Sequence, residues 1–414
     1  IASGGNYNVL VGDEAGTALT TGDQNVAVGF EALKTVTTAQ NNTAVGFKTL
    51  RLNTSGNANV AVGVVALGAN TTAVDNTAVG YNSLGANTTG DRNTALGKNS
   101  LASNVDGDRS VAVGYDALSN QDPSSNADMY NVGVGYAAGA AVTTGVQNTL
   151  IGSLAGDAIT TGSNNVALGR SSLGANTTAS NNTAVGYSSL VLNTTGTSNV
   201  AVGANALDAN TTAHNNTAVG YDALTTNTTG ASNTALGQGA LELNTTASNN
   251  TAVGKDALTA NTTGANNVAL GALALDANTT ADGNSAVGGG ALGATTTGAL
   301  NTAIGLGALA TNVTGSQNVA LGYNALNLST VDGYNTAIGS QSLGGNTTGT
   351  QNVAVGYTSS TGNTTGSTNT SIGYAALNAN TTAGSNTAVG GWSLYANTTG
   401  TNNVAVGKDA LDSN

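Results

Sequence analysis

A chain of 414 residues with 59 glycines, one proline, 7% charged and 4% aromatic residues is not an average soluble enzyme, while an apolar content of 39% excludes a disordered, highly charged chain. Nine basic against 21 acidic residues leave a net charge of −12, which repels phosphate backbones and anionic membranes and argues against nucleic acid as a partner. Without cysteine there are no disulfides and no thiolate chemistry, and the longest apolar runs are too short to span a bilayer.

The chain is built on one period. Counting the first Asn of each copy as position 0, copies begin at Asn8, Asn25, Asn42, Asn59, Asn76, Asn93 and Ser110, each 17 residues apart. The next start, Asn131, comes after 21 residues, and the 17-residue spacing then holds through Asn182, Asn199, Asn216 and Asn233 to Asn403, giving 24 copies. A fixed period over nearly the whole length indicates a solenoid forming one elongated domain. Within a copy, Thr or Val, Ala, then Val, Leu or Ile at positions 1 to 3 form a short β-strand pattern. A second short extended segment is expected at positions 7 to 9. The Asn-Thr-Thr-Gly or Asn-Thr-Thr-Ala stretch then turns the chain back, Asn and Gly tolerating left-handed backbone. Recurrent Gly and the lack of a 3, 4, 7 apolar spacing exclude helix. The expected fold is an all-β parallel β-solenoid, or β-roll, of about 24 coils stacked at about 4.8 Å.

In chain order, residues 1–118 form the N-terminal coils. The first is a variant, with Gly16 in place of the usual Leu at position 8 and Leu19 in place of the usual Asn at position 11. The same exchange recurs at Gly139 with Val142 and at Gly156 with Ile159, as if the apolar side chain moves from one wall to the other. Residues 119–130 hold the sole Pro and sole Met and read as a surface loop inserted at a corner. Residues 131–414 are regular coils. Ile1 and Asn414 each fall inside a copy, so the expectation is an ordered or processed part of something longer.

Positions 1 and 3 of the strand point one way and are apolar, as in Val200 and Val202; positions 2 and 4 point the other way and are nearly always Ala and Gly. A strand apolar on both faces is normally covered on both. One face can pack with the position-8 leucines, such as Leu190, Leu207 and Leu224. The other needs a cover that a thin coil cannot supply, and the simplest is another copy, so a symmetric homo-oligomer around a common axis is expected. The residues do not assign the inward face; positions 1 and 3 are the favoured choice for the axis.

Asn-Thr-Ala-Val-Gly-Tyr followed by Ser/Ala-Leu and Asn-Thr-Thr-Gly, as in Asn182–Gly196, resembles the left-handed β-roll repeats in the heads of trimeric autotransporter adhesins. It is still more similar to the Asn-Thr-Ala-Ile-Gly-Tyr arrays of phage tail-fibre proteins. The likeness covers residues 8–414, with a period longer than that of the adhesin heads. The resemblance implies a homotrimer, located outside the cell as a virion fibre or a bacterial surface adhesin, serving host attachment.

Few residues invite chemistry. His214 occupies a loop position filled elsewhere by Ser180 or Ser248 and has no repeated partner, so no catalytic role and no enzyme activity is expected. Asp122 and Asp128 lack the glycine-rich nonapeptide of calcium-binding β-rolls, and no metal or cofactor is expected. The glycines are not phosphate loops, because none leads into a helix. The repeated Asn-x-Thr triplets match the glycosylation pattern but are explained by the turn they build. Trp392 and Tyr395 are the candidate surface contact, a platform for stacking a sugar of a cell-surface glycan or receptor. Asn25, Asn42, Asn59, Asn76, Asn182, Asn199, Asn216 and Asn233 are expected to form a hydrogen-bonded structural ladder. The function expected is a non-enzymatic extracellular fibre segment, a stiff shaft or adhesive wall. The alternatives are an ice- or surface-binding solenoid built on the threonine rows, or a self-assembling matrix filament.

Overall fold

The computed structural model describes residues 5–331 and 333–413; of the sequence blocks above, residues 1–4 and Asn414 lie outside the described residues. The fold is an all-β parallel β-solenoid of about 23 turns with a 17-residue period, with no helix among the described residues. The chain divides into two compact units, Ile1–Thr212 and Ala213–Asn414. In the first, strands run from Val9–Val11 and Val26–Val28 to Val200–Val202, and in the second from Thr217–Val219 to Val404–Val406. Within each unit every coil pairs with the next in parallel and in register, as in Ala27 with Ala44 or Ala252 with Ala269.

Each coil has one three-residue strand, at positions 1 to 3, rather than the two extended segments expected. Positions 7 to 9 are turns, because residues at positions 6 and 8 adopt left-handed backbone, as at Ser188 (φ 53°) and Leu190 (φ 51°). That conformation costs a non-glycine residue roughly 1–2 kcal/mol. Full burial of a leucine contributes about 1.5–3 kcal/mol, so the buried Leu190 side chain holds its own strained backbone in place. A third left-handed residue closes the coil at position 16, as at Ser198 (φ 58°). The Asn-Thr-Thr-Gly corner turns without any: Asn261, Thr262, Thr263 and Gly264 all lie outside the left-handed region. The invariant Gly at position 4 has a different cause. Gly186 sits at φ 137°, and a Cβ there would lie 2.4 Å from the carbonyl oxygen of Gly203 in the next coil.

The inward face of the strand is the Ala face. Ala184, Ser189 and Leu190 are fully buried, together with Asn182 and Asn193, and equivalent residues are buried along both units. Position 7 prefers Ala or Ser because the space is small, and a Ser there donates to the position-4 carbonyl, as Ser189 does to Gly186 at 3.1 Å. The variant coils conserve volume by exchange. At Gly156 the space of a position-8 side chain is taken by Leu150 from position 2 and Ile159 from position 11, whose methyl carbons each lie 2.8 Å from where a Cβ would be. At Gly16 the same space is taken by Leu10.

The insert at 119–130 is only partly a surface loop, which corrects the expectation. Asp122 and Ser124–Asn126 are exposed, but Gln121 and Met129 are fully buried, and Ala127–Asp128 pairs with Gly107–Asp108 as a small parallel sheet. The reason is chemical. Ser110 is the one copy without Asn at position 0, and Gln121, at position 11 of that coil, has the reach to repair it. Its Nε2 donates to Asn104 Oδ1 at 3.1 Å and to Ser110 Oγ at 3.0 Å, while its Oε1 accepts from Asn131 Nδ2 at 2.9 Å. One longer amide thus joins columns that two asparagines serve elsewhere.

Candidate interaction surface

Two buried amide columns hold the outer wall in register. At position 0, the Ser110 coil apart, the backbone N–H of an Asn donates to the side-chain oxygen of the Asn one coil before: Asn42 to Asn25 at 3.1 Å, Asn59 to Asn42 and Asn76 to Asn59 at 3.0 Å, Asn199 to Asn182 at 3.0 Å, and Asn233 to Asn216 at 2.9 Å. The side-chain Nδ2 then donates across the coil to the position-14 carbonyl, as Asn182 does to Gly196 at 2.8 Å. A second column, missed in the sequence, runs through position 11. Asn193 Nδ2 donates to Asn176 Oδ1 at 3.2 Å and to the same Gly196 carbonyl at 2.9 Å. Each such bond contributes about 0.5–1.5 kcal/mol net, and leaving a buried partner unmade costs more. The second column breaks where Thr295 and Ser329 replace Asn, and there Asn278 Oδ1 and Asn312 Oδ1 are buried without a hydrogen-bond partner.

With Ala inside, positions 1 and 3 point outward. Val268 is 40% exposed and Leu270 46%, and Val319, Leu321, Leu236 and Ile304 are similarly open. The interior is already filled, so this apolar stripe has no cover within its own coil. Beyond the Gly corner, position 5 adds a column of exposed rings. Where aromatic residues follow one another they stack along the column: Phe30 on Phe47 at 5.4 Å, Tyr115 on Tyr136 at 5.6 Å and Tyr357 on Tyr374 at 5.7 Å between centroids.

The same wall carries an ionic cluster. Glu31 accepts from Lys34 at 2.8 Å and lies 3.5 Å from Arg51 and 3.8 Å from Lys48, while Lys34 also pairs with Glu14. The Lys34 hydrogen bond holds the Glu31 carboxyl below its ordinary range, and Glu14 and then Glu31 raise the Lys34 ammonium. Glu31 itself is buried, while its partners Lys34, Lys48 and Arg51 are about one-third exposed, so solvent screens the pairing from their side. Two grooves open on the wall between positions 6 and 10, where glycine removes the side chains that would fill them. One, of about 360 Å³, is lined by Lys48, Arg51, Val65, Gly68 and Gly85. The other, of about 350 Å³, is lined by Asn324, Asn327, Gln341, Gly344 and Thr361.

The residues singled out for chemistry are not brought together. Asp128 pairs with Arg109 and accepts from the Tyr130 hydroxyl at 3.1 Å, whereas Asp122 Oδ1 accepts from the Val105 N–H at 3.3 Å. His214 lies in the position-15 column, its carbonyl accepting from the Ser232 N–H. Trp392 packs edge-on against Tyr374 at 5.0 Å and lies under Lys408 at 5.4 Å, which makes it part of the aromatic column. Tyr395 stands at position 9 and is exposed. Of the two threonine rows, the one at position 12 is committed internally, its hydroxyls donating to a carbonyl one coil on, as Thr245 does to Thr262 at 3.0 Å and Thr262 to Thr279 at 3.0 Å; the position-13 row, as at Thr195 and Thr263, is exposed. No family model matches the chain, and no curated protein matches it. Fold and surface together define a β-solenoid repeat protein with an outward apolar and aromatic stripe.

Proposed function

We propose that this chain is the non-enzymatic shaft of an extracellular attachment fibre, assembled as a homotrimer through the outward strand face at positions 1 and 3. The observation that carries the reading is the uncovered Val/Thr and Val/Leu/Ile stripe on coils whose interior is already full. Contiguous apolar surface of this kind marks an interface. A second copy presents the same stripe at the same spacing, so self-association matches it coil for coil. The resemblance of the repeats to tail-fibre and trimeric-adhesin arrays favours three copies and a place on a virion or a bacterial surface. The mechanism is mechanical: a stiff stack holds a receptor- or glycan-binding end at a distance, and repeated side chains on its wall bind multivalently.

The test uses one strand. Val268→Asp with Leu270→Asp places carboxylates on the outward face, and the expected result is a folded chain of reduced mass by sedimentation. Ala269→Asp buries a carboxylate inside and is expected to unfold the coil. A double variant that keeps the parental mass overturns the assignment of the interface.

A further inference from the structure

The position-5 column shows what fits between its rings. In the first unit Lys98 stands between Tyr81 and Tyr115, two coils apart, and its ammonium lies 5.7 Å from one ring centroid and 5.4 Å from the other. Arg170 lies over Tyr187 at 5.8 Å. At Gly391, where position 5 has no side chain, the neighbouring Trp392 fills the space against Tyr374 and under Lys408. Where a ring or a cation adjoins in the column, it lies against the neighbouring ring face.

One place in the second unit has the walls without the filling. Tyr323 and Tyr357 are two coils apart with Ser340 between them, and both rings are half exposed. Tyr357 stacks on Tyr374 with its far face, so the face turned toward Ser340 carries no ring. Two steps of the stacked spacing, 5.7 Å each for Tyr357 on Tyr374, separate the facing rings by roughly 11 Å. Subtracting the thickness of the rings leaves about 7 Å, wider than a flat aromatic guest needs and close to the width of a methylated ammonium.

We infer that the Tyr323–Ser340–Tyr357 notch is a clamp for an organic ammonium group, primary or methylated, in the place that Lys98 fills in the first unit. The attraction is that of a cation for two ring faces, and it strengthens as the guest loses water. A net charge of −12 adds a weak general pull on cations. This inference does not rest on the shaft reading, since the clamp is complete within one chain.

The experiment titrates tetramethylammonium chloride into the protein as it assembles in solution, at constant ionic strength, and follows selectively labelled tyrosine ring resonances. Expected are saturable shifts at Tyr323 and Tyr357 in the millimolar range, an affinity loss of about two- to fivefold in Tyr357→Ala, and no response to neopentyl alcohol, the uncharged equivalent in shape. Ser340→Lys rebuilds the Lys98 arrangement and is expected to abolish the shifts while raising the melting temperature. Shifts spread evenly over all tyrosines, an equal response to neopentyl alcohol, or binding that survives Ser340→Lys overturns the clamp. Absence of binding in an assembled fibre also overturns it, and leaves the mass measured by sedimentation, and with it the shaft reading, untouched.

Discussion

Thr295→Asn is expected to stabilise the second unit, because it completes the one buried column whose defect is fully visible. Asn278 Oδ1 has no partner, and a buried acceptor left unmade costs about 1–3 kcal/mol. Thr295 donates its hydroxyl to the Asn312 carbonyl at 2.9 Å and meets Asn312 Nδ2 at only 3.4 Å. The Gly298 carbonyl receives Asn284 Nδ2 at 2.9 Å, whereas its counterpart Gly264 receives both Asn250 and Asn261 at 2.9 Å. An amide at 295 would donate to Asn278 and to Gly298 and accept from Asn312 Nδ2, at the loss of one hydroxyl bond. With each bond worth about 0.5–1.5 kcal/mol net, the balance is a gain of about 1–2 kcal/mol. Thr and Asn are close in volume, so no cavity or overpacking offsets the gain. Native-state hydrogen exchange of peptides spanning 278–312 reads the effect locally, which suits a repeat array that need not unfold in one step. Protection should rise by a factor of about 5–30. Thr295→Val, which keeps the shape and removes the hydroxyl, should lower it. Unchanged or reduced protection in Thr295→Asn refutes the reasoning that the orphaned amide oxygen is a cost.

Replacing Asn233 by Leu removes the donor to the Ala247 carbonyl at 2.8 Å and the acceptor for the Asn250 N–H at 3.0 Å. A loss of about 3 kcal/mol or more is expected in denaturant titration, against less than about 0.5 kcal/mol for the exposed Asn120→Leu; equal losses would rule out a working ladder. Gln121→Ala disconnects three partners at once and should lower stability by more than Asp122→Ala, as read by the melting temperature of the first unit. Asp108 supplies the pH dependence. Burial, its main cause, pushes the Asp108 carboxyl above its ordinary range, so the folded state holds that proton more tightly than the unfolded one. The resulting penalty is present above the folded pKa and disappears as pH falls through it. Asp108→Asn, which keeps an oxygen for the Asp91 N–H bonded at 2.7 Å, should raise the melting temperature at pH 7 and lose that advantage in acid. A gain independent of pH would contradict the burial argument.

The fold was legible because repetition turns weak local signals into one unmistakable period, and because Asn, Thr/Val, Ala and Gly recur at fixed places. The direction of the strand was not legible. Val200 and Ala201 are both apolar, and only the size of the interior, already occupied by Leu207 and the paired amides, decides that Ala points in. The left-handed residues at positions 6 and 8 were hidden for a related reason: Ser188 and Leu190 give no glycine signal, and at Leu190 burial rather than propensity holds the backbone there. Asn193 looked like a turn residue and is a buried ladder rung, because an amide serves either role until its surroundings are known. The exchange of Ser110 with Gln121 was readable as two departures from the pattern in one coil, and only the distances show that one compensates the other. On the surface, the position-5 tyrosines, such as Tyr323, Tyr357 and Tyr374, were scattered in sequence and became a column only once the coils were stacked.

Sedimentation equilibrium of the unaltered chain at micromolar concentration tests the central claim most directly, because the outward apolar stripe must be covered by something. The account predicts a single species of three chains that does not dissociate on dilution through that range. A stable, soluble monomer would contradict it.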